Sequence, residues 1–328
     1  MAIQNTILFG NGINRIEEVE DNNSNFKYSW QSALEELAKQ ANYTLRNAEE
    51  KPLTLVFEEI LMHARNLSKN DLQKIVGRAV IRSASSQLKD VISCLGKNFL
   101  TTNYYTPVMS GNGLAPDHLP FEISIPICPD INENTFSIFR GRKIRNKSIW
   151  TIHGSSYDPT SITLGYRQYA RYQANIHKYL MSGARYNNVS TLNSPLYRNR
   201  PIFDFEKHEP HYSWVDLFLR DHIHIIGLTL DYSESILWWL MTEKFNLQKK
   251  YPKYIGGLTY YQVAKDGKLP VSVDQKLDML EDLGVKVQVV DSESYKDGYL
   301  QIADLIKPGI RKLYEANDLK GMYKLSLK

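Results

Sequence analysis

Cysteine is scarce in this 328-residue chain, which contains only Cys94 and Cys128. Two thiols allow neither a framework of several disulfides nor a four-thiolate zinc site within one chain. We therefore expect a protein of a reducing compartment, with no metal site built on cysteine.

Long apolar runs are also missing from the sequence. No run reaches the ~18 residues of a membrane-spanning helix, and the first nine residues lack the basic and then apolar pattern of an export signal. We expect a soluble, unexported protein of the cytoplasm that does not associate with membranes.

A strong excess of one charge is absent too. The formal net charge is +4, with both signs spread along the chain, and 42% of the residues are hydrophobic. This composition suits a protein with a large buried core, and the mild positive charge suits an anionic small molecule as well as it suits nucleic acid. Charge alone therefore excludes neither class of partner.

Short apolar runs alternate with segments of helical periodicity. Strands are predicted at residues 6–9, 98–102, 148–152, 222–226, 258–263 and 285–290. Helices are predicted within residues 30–95 and at 165–181, 233–248, 277–283 and 302–314. This alternation predicts the α/β class, with a Rossmann-like, mostly parallel sheet and helices on both faces.

The whole chain, residues 1–328, is predicted to form one domain with two insertions. A helical module of about residues 28–96 follows the first strand. An irregular segment rich in proline and tyrosine occupies about residues 107–148, and residues 186–212 are predicted to be a polar loop.

The turn after the first strand lacks the third glycine of a dinucleotide-binding fingerprint, because position 15 is arginine. Gly10 and Gly12 are present, and two glycines let the backbone approach a pyrophosphate whose charge is met by amides. A purely structural tight turn explains the same two residues, so both interpretations stay open.

Three further predicted strands end in small or polar residues. Thr102, Asn103 and Tyr105 follow the second strand, His153 and Gly154 follow the third, and Gly227, Thr229 and Asp231 follow the fourth. Each cluster alone suits a capped strand end, a structural histidine or a strand-to-helix turn. Because the carboxyl ends of parallel strands meet at one edge, the four clusters together predict one composite dinucleotide site.

Four segments carry a family resemblance when they are taken together. They are Leu8-Phe9-Gly10-Asn11-Gly12-Ile13-Asn14, Phe99-Leu100-Thr101-Thr102-Asn103-Tyr104, Trp150-Thr151-Ile152-His153-Gly154 and Ile226-Gly227-Leu228-Thr229-Leu230-Asp231. In sequence, order and strand placement they resemble the sirtuin-like NAD-hydrolase family of bacterial anti-phage defence systems, from Thr6 to about Val290. The resemblance implies an NAD-binding domain that cleaves the nicotinamide–ribose bond.

The resemblance also implies roles for individual residues. Asn103 and His153 would flank the nicotinamide ribose as catalytic residues. The implied NAD-binding residues are Gly10, Asn11, Gly12, Asn14, Thr102, Tyr105, Gly227, Thr229 and Asp231. Nicotinamide leaves as a neutral molecule from an oxocarbenium-like transition state, so an asparagine that positions water or a hydroxyl and a histidine that accepts a proton fit this attack.

The same resemblance implies NAD as the substrate, no metal, a homo-oligomer, and activation by a partner protein or a phage-derived trigger. Two departures from the family pattern matter. Tyr105 stands where family members commonly carry an aspartate that helps to hold the nicotinamide carboxamide, and this change is expected to slow the reaction. The four-cysteine zinc module of deacylating sirtuins is missing, which argues against protein deacylation.

Three functional classes remain at this level: an NAD-hydrolysing effector, a catalytically weak module that binds NAD or ADP-ribose, and a nucleic-acid-associated interaction protein. Tyrosines and arginines interleave in residues 166–186, as in surfaces that stack on bases, but a helix packed over the mouth of the site is the favoured interpretation. A loose set of possible metal ligands comprises Asp204, Glu206, His208, His211, His222 and His224. Solvated loop and strand packing explain that set better than a metal does.

Overall fold

The computed structural model describes residues 3–13, 30–47, 51–65, 67–81, 88–104, 125–126, 137–144, 146–186, 190–192 and 213–327. None of the helices within these ranges combines the length and the apolar composition that crossing a membrane requires.

Within the described part of the chain, eight strands form one sheet, and two more pair with each other. The strands are β1 (Asn5–Phe9), β2 (Asn98–Thr101), β3 (Ile125–Pro126), β4 (Gly141–Ile144), β5 (Lys147–Thr151), β6 (Ala184–Tyr186), β7 (Ser190–Leu192), β8 (His222–Ile226), β9 (Leu258–Lys265) and β10 (Lys286–Ser292). The order in the sheet is β10-β9-β8-β1-β2-β5-β4-β3, and β6 pairs with β7.

The strands from β10 to β5 all pair in parallel, whereas β4 and β3 are added antiparallel at one edge. From β5 across to β10, the parallel strands follow the order 3-2-1-4-5-6 along the chain, which is the strand order of a doubly wound Rossmann sheet. The predicted α/β, Rossmann-like class is therefore confirmed.

Helices cover both faces of this sheet. The described helices are α1 (Trp30–Gln40), α2 (Leu53–His63), α3 (Lys69–Ile81), α4 (Leu88–Ser93), α5 (Tyr166–Ser182), α6 (Trp214–Arg220), α7 (Ser235–Lys250), α8 (Val271–Asp282), α9 (Tyr295–Ile306), α10 (Ile310–Glu315) and α11 (Leu319–Leu327), of which α4 to α11 pack on the sheet.

The central strand β1 shows why the core lies on both sides of the sheet. Ile7, Leu8 and Phe9 have no exposed surface. Because successive side chains of a strand point to opposite faces, Leu8 packs towards α5 to α8, and Ile7 and Phe9 pack towards α4 and α9 to α11. Such continuous burial is typical of a central parallel strand.

The predicted helical module lies between β1 and β2, where α1, α2 and α3 pack around a core of their own that includes Leu37, Phe57 and Val76. This core also contains Ile162 and Leu164, which lie between β5 and α5. The module is thus packed against the segment that follows β5.

Several predicted boundaries are wrong. The segment 107–148, predicted to be irregular, contains the antiparallel strand β4, whose sequence Gly-Arg-Lys-Ile has no apolar run that would indicate a strand. The predicted loop 186–212 contains β7. The single helix predicted at 302–314 is broken by Pro308 and by Gly309, whose φ is 90°, and α11 follows.

Candidate functional site

The turns after β1 and β8 meet at the point where the strand order reverses. β1 leads to β2 on one side of the sheet, and β8 leads to β9 on the other. The Gly10 amide donates to the Ile226 carbonyl at 3.1 Å, and the Gly12 amide donates to the Gly227 carbonyl at 2.7 Å. Doubly wound sheets bind ligands in the crevice at this position.

Glycine is required in this pair of turns by close packing. A Cβ atom on Gly12 would lie 2.7 Å from the Gly227 carbonyl oxygen, and one on Gly10 would meet the same oxygen at 2.7 Å. Gly227 itself has a φ of 59°. Gly10 and Gly12 therefore lack side chains because their backbones lie directly against the turn that follows β8.

The loop after β8 carries two predicted NAD-binding residues on its surface. Thr229 and Asp231 are both exposed, and the Asp231 carboxylate accepts a hydrogen bond from the Ser233 amide at 2.8 Å. Between them, Leu230 has a φ of 47° and a fully buried side chain. A leucine in this left-handed region is strained, and its buried side chain holds the loop in this conformation.

The remaining predicted NAD-binding residues differ in how far they are described. Asn11 is half-buried in a short helical turn, and Thr102 is half-buried after β2. Asn14 and Tyr105 lie outside the described residues.

Asn103 and His153 are brought to the same edge of the sheet by strand register. Thr101 of β2 pairs with Thr151 of β5, so each predicted catalytic residue lies two positions beyond a paired residue. Asn103 is 9% exposed and His153 is 2% exposed. The Asn103 amide nitrogen is buried, and no described residue accepts a hydrogen bond from it.

His153 forms a buried pair with Glu234, the residue that immediately precedes α7. The distance from His153 Nε2 to Glu234 Oε2 is 2.7 Å, and Glu234 is 8% exposed. Because a carboxylate accepts hydrogen bonds, this contact assigns the proton of a neutral His153 to Nε2. The His153 Nδ1 atom is buried and has no hydrogen-bond partner within the described part of the chain.

Two tyrosines enclose this pair. The ring centroids of Tyr169 and His153 are 5.0 Å apart, and the Tyr104 hydroxyl donates to the Thr163 carbonyl at 2.9 Å. Burial first, and the charge of Glu234 second, raise the pKa of both tyrosines well above the usual range. Both side chains therefore remain neutral hydrogen-bond donors.

The helical module contributes a ring to the same region. Trp30, the first residue of α1, stacks on Tyr169 with 6.3 Å between ring centroids and 21° between the ring planes. Trp30 also packs against the core of the helical module and against the core on one face of the sheet. Trp30 therefore connects the helical module to the residues around His153.

Several buried polar atoms without partners belong to residues around this edge of the sheet. Among the described residues these atoms include Trp30 Nε1, Asn103 Nδ2, His153 Nδ1, Ser156 Oγ, the Tyr169 hydroxyl and Ser233 Oγ. Each unpaired buried group costs about 1 to 3 kcal/mol, so such groups are uncommon unless water or a ligand satisfies them. The arrangement offers one imidazole acceptor and several donors to a small polar ligand.

Glu234 is the functional candidate that the sequence prediction missed. It is separated from His153 by 81 positions, and no local motif marks it. Its position in the sequence could have indicated it, because it directly precedes a helix that follows the end of a strand. Acidic residues are favoured at the N-termini of helices, and the nearby Asp231 was already a candidate.

The tyrosine-rich segment forms helix α5 up to Ser182, and most of the tyrosines on this helix are buried. Tyr169, Tyr172 and Tyr179 are buried, whereas Tyr166 is 59% exposed. The described tyrosines that face inward are therefore unavailable to nucleic-acid bases.

The loose set of possible metal ligands is split. His222 and His224 lie side by side on β8 and contact Thr259 and Tyr261 of β9, each at 3.0 Å. Asp204, Glu206, His208 and His211 lie outside the described residues. Within the ranges that are described, no group of three or more histidine, cysteine or acidic side chains is placed to hold a metal ion.

Comparison with known proteins adds no identification. No protein-family model matches the chain, and a search of curated proteins found no significant match. The resemblance to sirtuin-like NAD hydrolases therefore depends on the four sequence segments alone.

Proposed function

We propose that this protein is an NAD glycohydrolase that binds NAD at the carboxyl edge of the sheet and cleaves the nicotinamide–ribose bond. The observation that carries the proposal is the buried His153, whose Nε2 is engaged by Glu234 and whose Nδ1 has no described partner. A neutral imidazole held in this way is a base with its lone pair available. The Asn103 amide, also unpaired among the described residues, supplies a donor at the same edge.

The proposed reaction needs only a proton acceptor and a positioned nucleophile. The bond between ribose C1′ and the nicotinamide nitrogen breaks, and its electron pair leaves with neutral nicotinamide. Water forms the new C1′–O bond, giving ADP-ribose, and the proton lost from this water is accepted at His153 Nδ1 and passed to solvent. Asn103 would orient the water or a ribose hydroxyl, since its amide offers both a donor and an acceptor.

The positions proposed for the rest of NAD come from the family resemblance and from the strand order of the sheet. The pyrophosphate would lie at the crevice between the β1 and β8 turns, beside Gly10, Asn11, Gly12 and Gly227. Thr229 and Asp231 would contact the remaining nucleotide, and Asn14, Thr102 and Tyr105 complete the proposed NAD-binding set. Lys276 donates to the Thr229 carbonyl and so places an amino group beside the proposed position of the remaining nucleotide.

The wider role is proposed from the resemblance. The protein would act in the cytoplasm as an NAD-depleting effector of anti-phage defence, as a homo-oligomer whose basal turnover of NAD is increased by a partner protein or a phage-derived trigger. No metal is required by the proposed chemistry.

The test uses variants that separate the two ring nitrogens of His153. In His153→Gln the amide occupies the position of Nε2 and keeps a donor for Glu234, but it places no acceptor at the position of Nδ1. We expect this variant to fold and to lose NAD turnover by at least about 100-fold, which is within the contribution of a general base. Nicotinamide release followed by chromatography measures the rate, and thermal unfolding checks the fold.

Matched controls are available elsewhere in the chain. His177 and Asn246 are exposed on α5 and α7, so His177→Gln and Asn246→Ala should leave turnover unchanged. Asn103→Ala should lower it as His153→Gln does. NAD that binds tightly to the wild-type protein and stays intact would instead indicate a binding module, and equal turnover in all variants would refute the assignment of the site.

A further inference from the structure

We infer that Glu234 is a positioning residue that fixes the tautomer and the orientation of His153 and stabilises the imidazolium formed when His153 accepts a proton. The inference rests on the proposed function for its consequence in catalysis. Its structural part, the control of His153 by Glu234, stands on the geometry of the pair.

The contact itself selects one tautomer. Glu234 Oε2 lies 2.7 Å from His153 Nε2, and the side chains of His153 and Glu234 are 2% and 10% exposed. Water does not compete effectively for a hydrogen bond in such surroundings, and the low local dielectric strengthens a charge-assisted bond. The proton of the neutral ring therefore stays on Nε2, which leaves the lone pair on Nδ1.

The backbone holds Glu234 in place before any ligand binds. Its amide donates to the Asp231 carbonyl at 2.9 Å, and its carbonyl accepts from the amides of Leu237 and Trp238 at 2.9 and 3.1 Å. Ile236 and Leu237, in the first turn of α7, are fully buried and anchor this end of the helix. A carboxylate next to the N-terminus of this 16-residue helix is also favoured by the helix dipole.

The described groups around the pair do not neutralise the charge of Glu234, which therefore acts on His153. Tyr104 follows β2 and Tyr169 lies on α5, and burial together with the Glu234 charge raises the pKa of both, so they remain neutral. Asp231 is exposed on the same loop, and Lys276 of α8 interacts electrostatically with Asp231. Among the described residues, His153 is the ion-pair partner of Glu234.

This arrangement predicts different roles for His153 and Glu234 in the proposed reaction. When water loses its proton to His153 Nδ1, the ring becomes positively charged while Glu234 keeps its negative charge. The hydrogen bond between them is present throughout, but the attraction between two opposite charges exists only after proton transfer has begun, so this attraction lowers the barrier without strengthening the binding of NAD. Glu234 does not itself touch the substrate.

The kinetic test is Glu234→Gln, which keeps the shape and an acceptor oxygen but removes the charge. We expect kcat to fall about 10- to 100-fold, as for the loss of one charge-assisted hydrogen bond, while KM changes less than about threefold. Glu281→Gln, at an exposed carboxylate on α8, is the control and should match the wild-type protein. Rescue of part of the lost rate by Glu234→Asp would show that the charge is what matters.

The structural test does not depend on activity. Nitrogen-15 chemical shifts of labelled His153 distinguish a proton on Nε2 from a proton on Nδ1. The wild-type protein should show the proton on Nε2, and Glu234→Leu, which removes the acceptor, should show it on Nδ1 or divided between the two nitrogens. If Glu234→Leu fails to fold, the wild-type spectrum and the kinetics of Glu234→Gln decide the matter.

The possible failures are distinguishable. If the wild-type protein does not hydrolyse NAD but its His153 tautomer depends on Glu234, the proposed function is wrong and the positioning role stands. If His153→Gln is inactive while Glu234→Gln has the wild-type kcat, or if wild-type His153 carries its proton on Nδ1, the positioning role is wrong.

Discussion

At the scale of single residues, the His153–Glu234 pair is difficult to explain as a device for stability. Burying two ionisable groups removes both from water, and the resulting loss of hydration offsets most of the free energy gained from their hydrogen bond. The unpaired atoms nearby, including Asn103 Nδ2 and the Tyr169 hydroxyl, cost further free energy of folding when no ligand is bound. A region that combines these costs is more readily explained by a ligand than by packing.

A prediction about stability concerns the turn after β1. Gly12→Ala would place a Cβ atom 2.7 Å from the Gly227 carbonyl oxygen and 2.8 Å from the Tyr299 hydroxyl. We expect the free energy of unfolding to fall by about 1 to 3 kcal/mol, as for other overpacked positions, in denaturant titrations. Gly96→Ala is the control, since the nearest atom would be Ile7 Cγ1 at an ordinary 3.4 Å. Equal stability of the two variants would show that the turns do not pack as described.

Single residues also show what the sequence could predict of the site. Asn103 and His153 were found because they directly follow apolar strands, and strand register then placed them at one edge. Glu234 was missed because its partner is distant in sequence, and Trp30 was covered only by the prediction of helices within residues 30–95. Contacts between elements that are remote along the chain are set by tertiary packing, which local patterns do not encode.

At the scale of elements, β8 carries two histidines whose neutral forms the fold requires. Burial, together with the neighbouring His222, lowers the pKa of His224 to about 4, and burial lowers that of His222 as well. The unfolded chain therefore binds more protons than the folded protein between about pH 6.5 and pH 4. Stability is fully present above pH 6.5 and declines as the pH falls through this window.

The contribution of His224 to acid sensitivity is measurable. His224→Asn keeps a polar atom near the position of Nδ1, within reach of the Tyr261 hydroxyl, but it cannot be protonated. Between pH 6.5 and pH 4 we expect the free energy of unfolding to fall less for His224→Asn than for the wild-type protein. The difference between the two proteins should be at most about 3 kcal/mol. Denaturant unfolding across that range gives the comparison. Parallel curves for the two proteins would contradict the assignment.

Elements also show where local pattern prediction fails. The buried parallel strands were predicted from their apolar runs, because burial on both faces demands such runs. Strand β4 lies near the antiparallel edge and carries Arg142 and Lys143, so it has no such signature. The break between α9 and α10 was marked in the sequence by Pro308 and Gly309, and the apolar periodicity on either side concealed it.

At the scale of the whole molecule, the 3-2-1-4-5-6 strand order brings four strand ends to one edge, and the helical module adds Trp30 beside them. The strand order was not predicted, because pairing between strands far apart in the chain depends on the packed sheet. The predicted alternation of strands and helices was nevertheless sufficient to place the candidate site at that edge.

The most direct test of the central claim is incubation of the purified full chain with NAD in water enriched in oxygen-18, with products measured by chromatography and mass spectrometry. The account predicts equal amounts of nicotinamide and ADP-ribose, with oxygen-18 at the ribose C1′ in proportion to the enrichment of the water, and products formed at least about 100-fold more slowly by His153→Gln. Intact NAD after prolonged incubation, or the same products from His153→Gln at the wild-type rate, would contradict it.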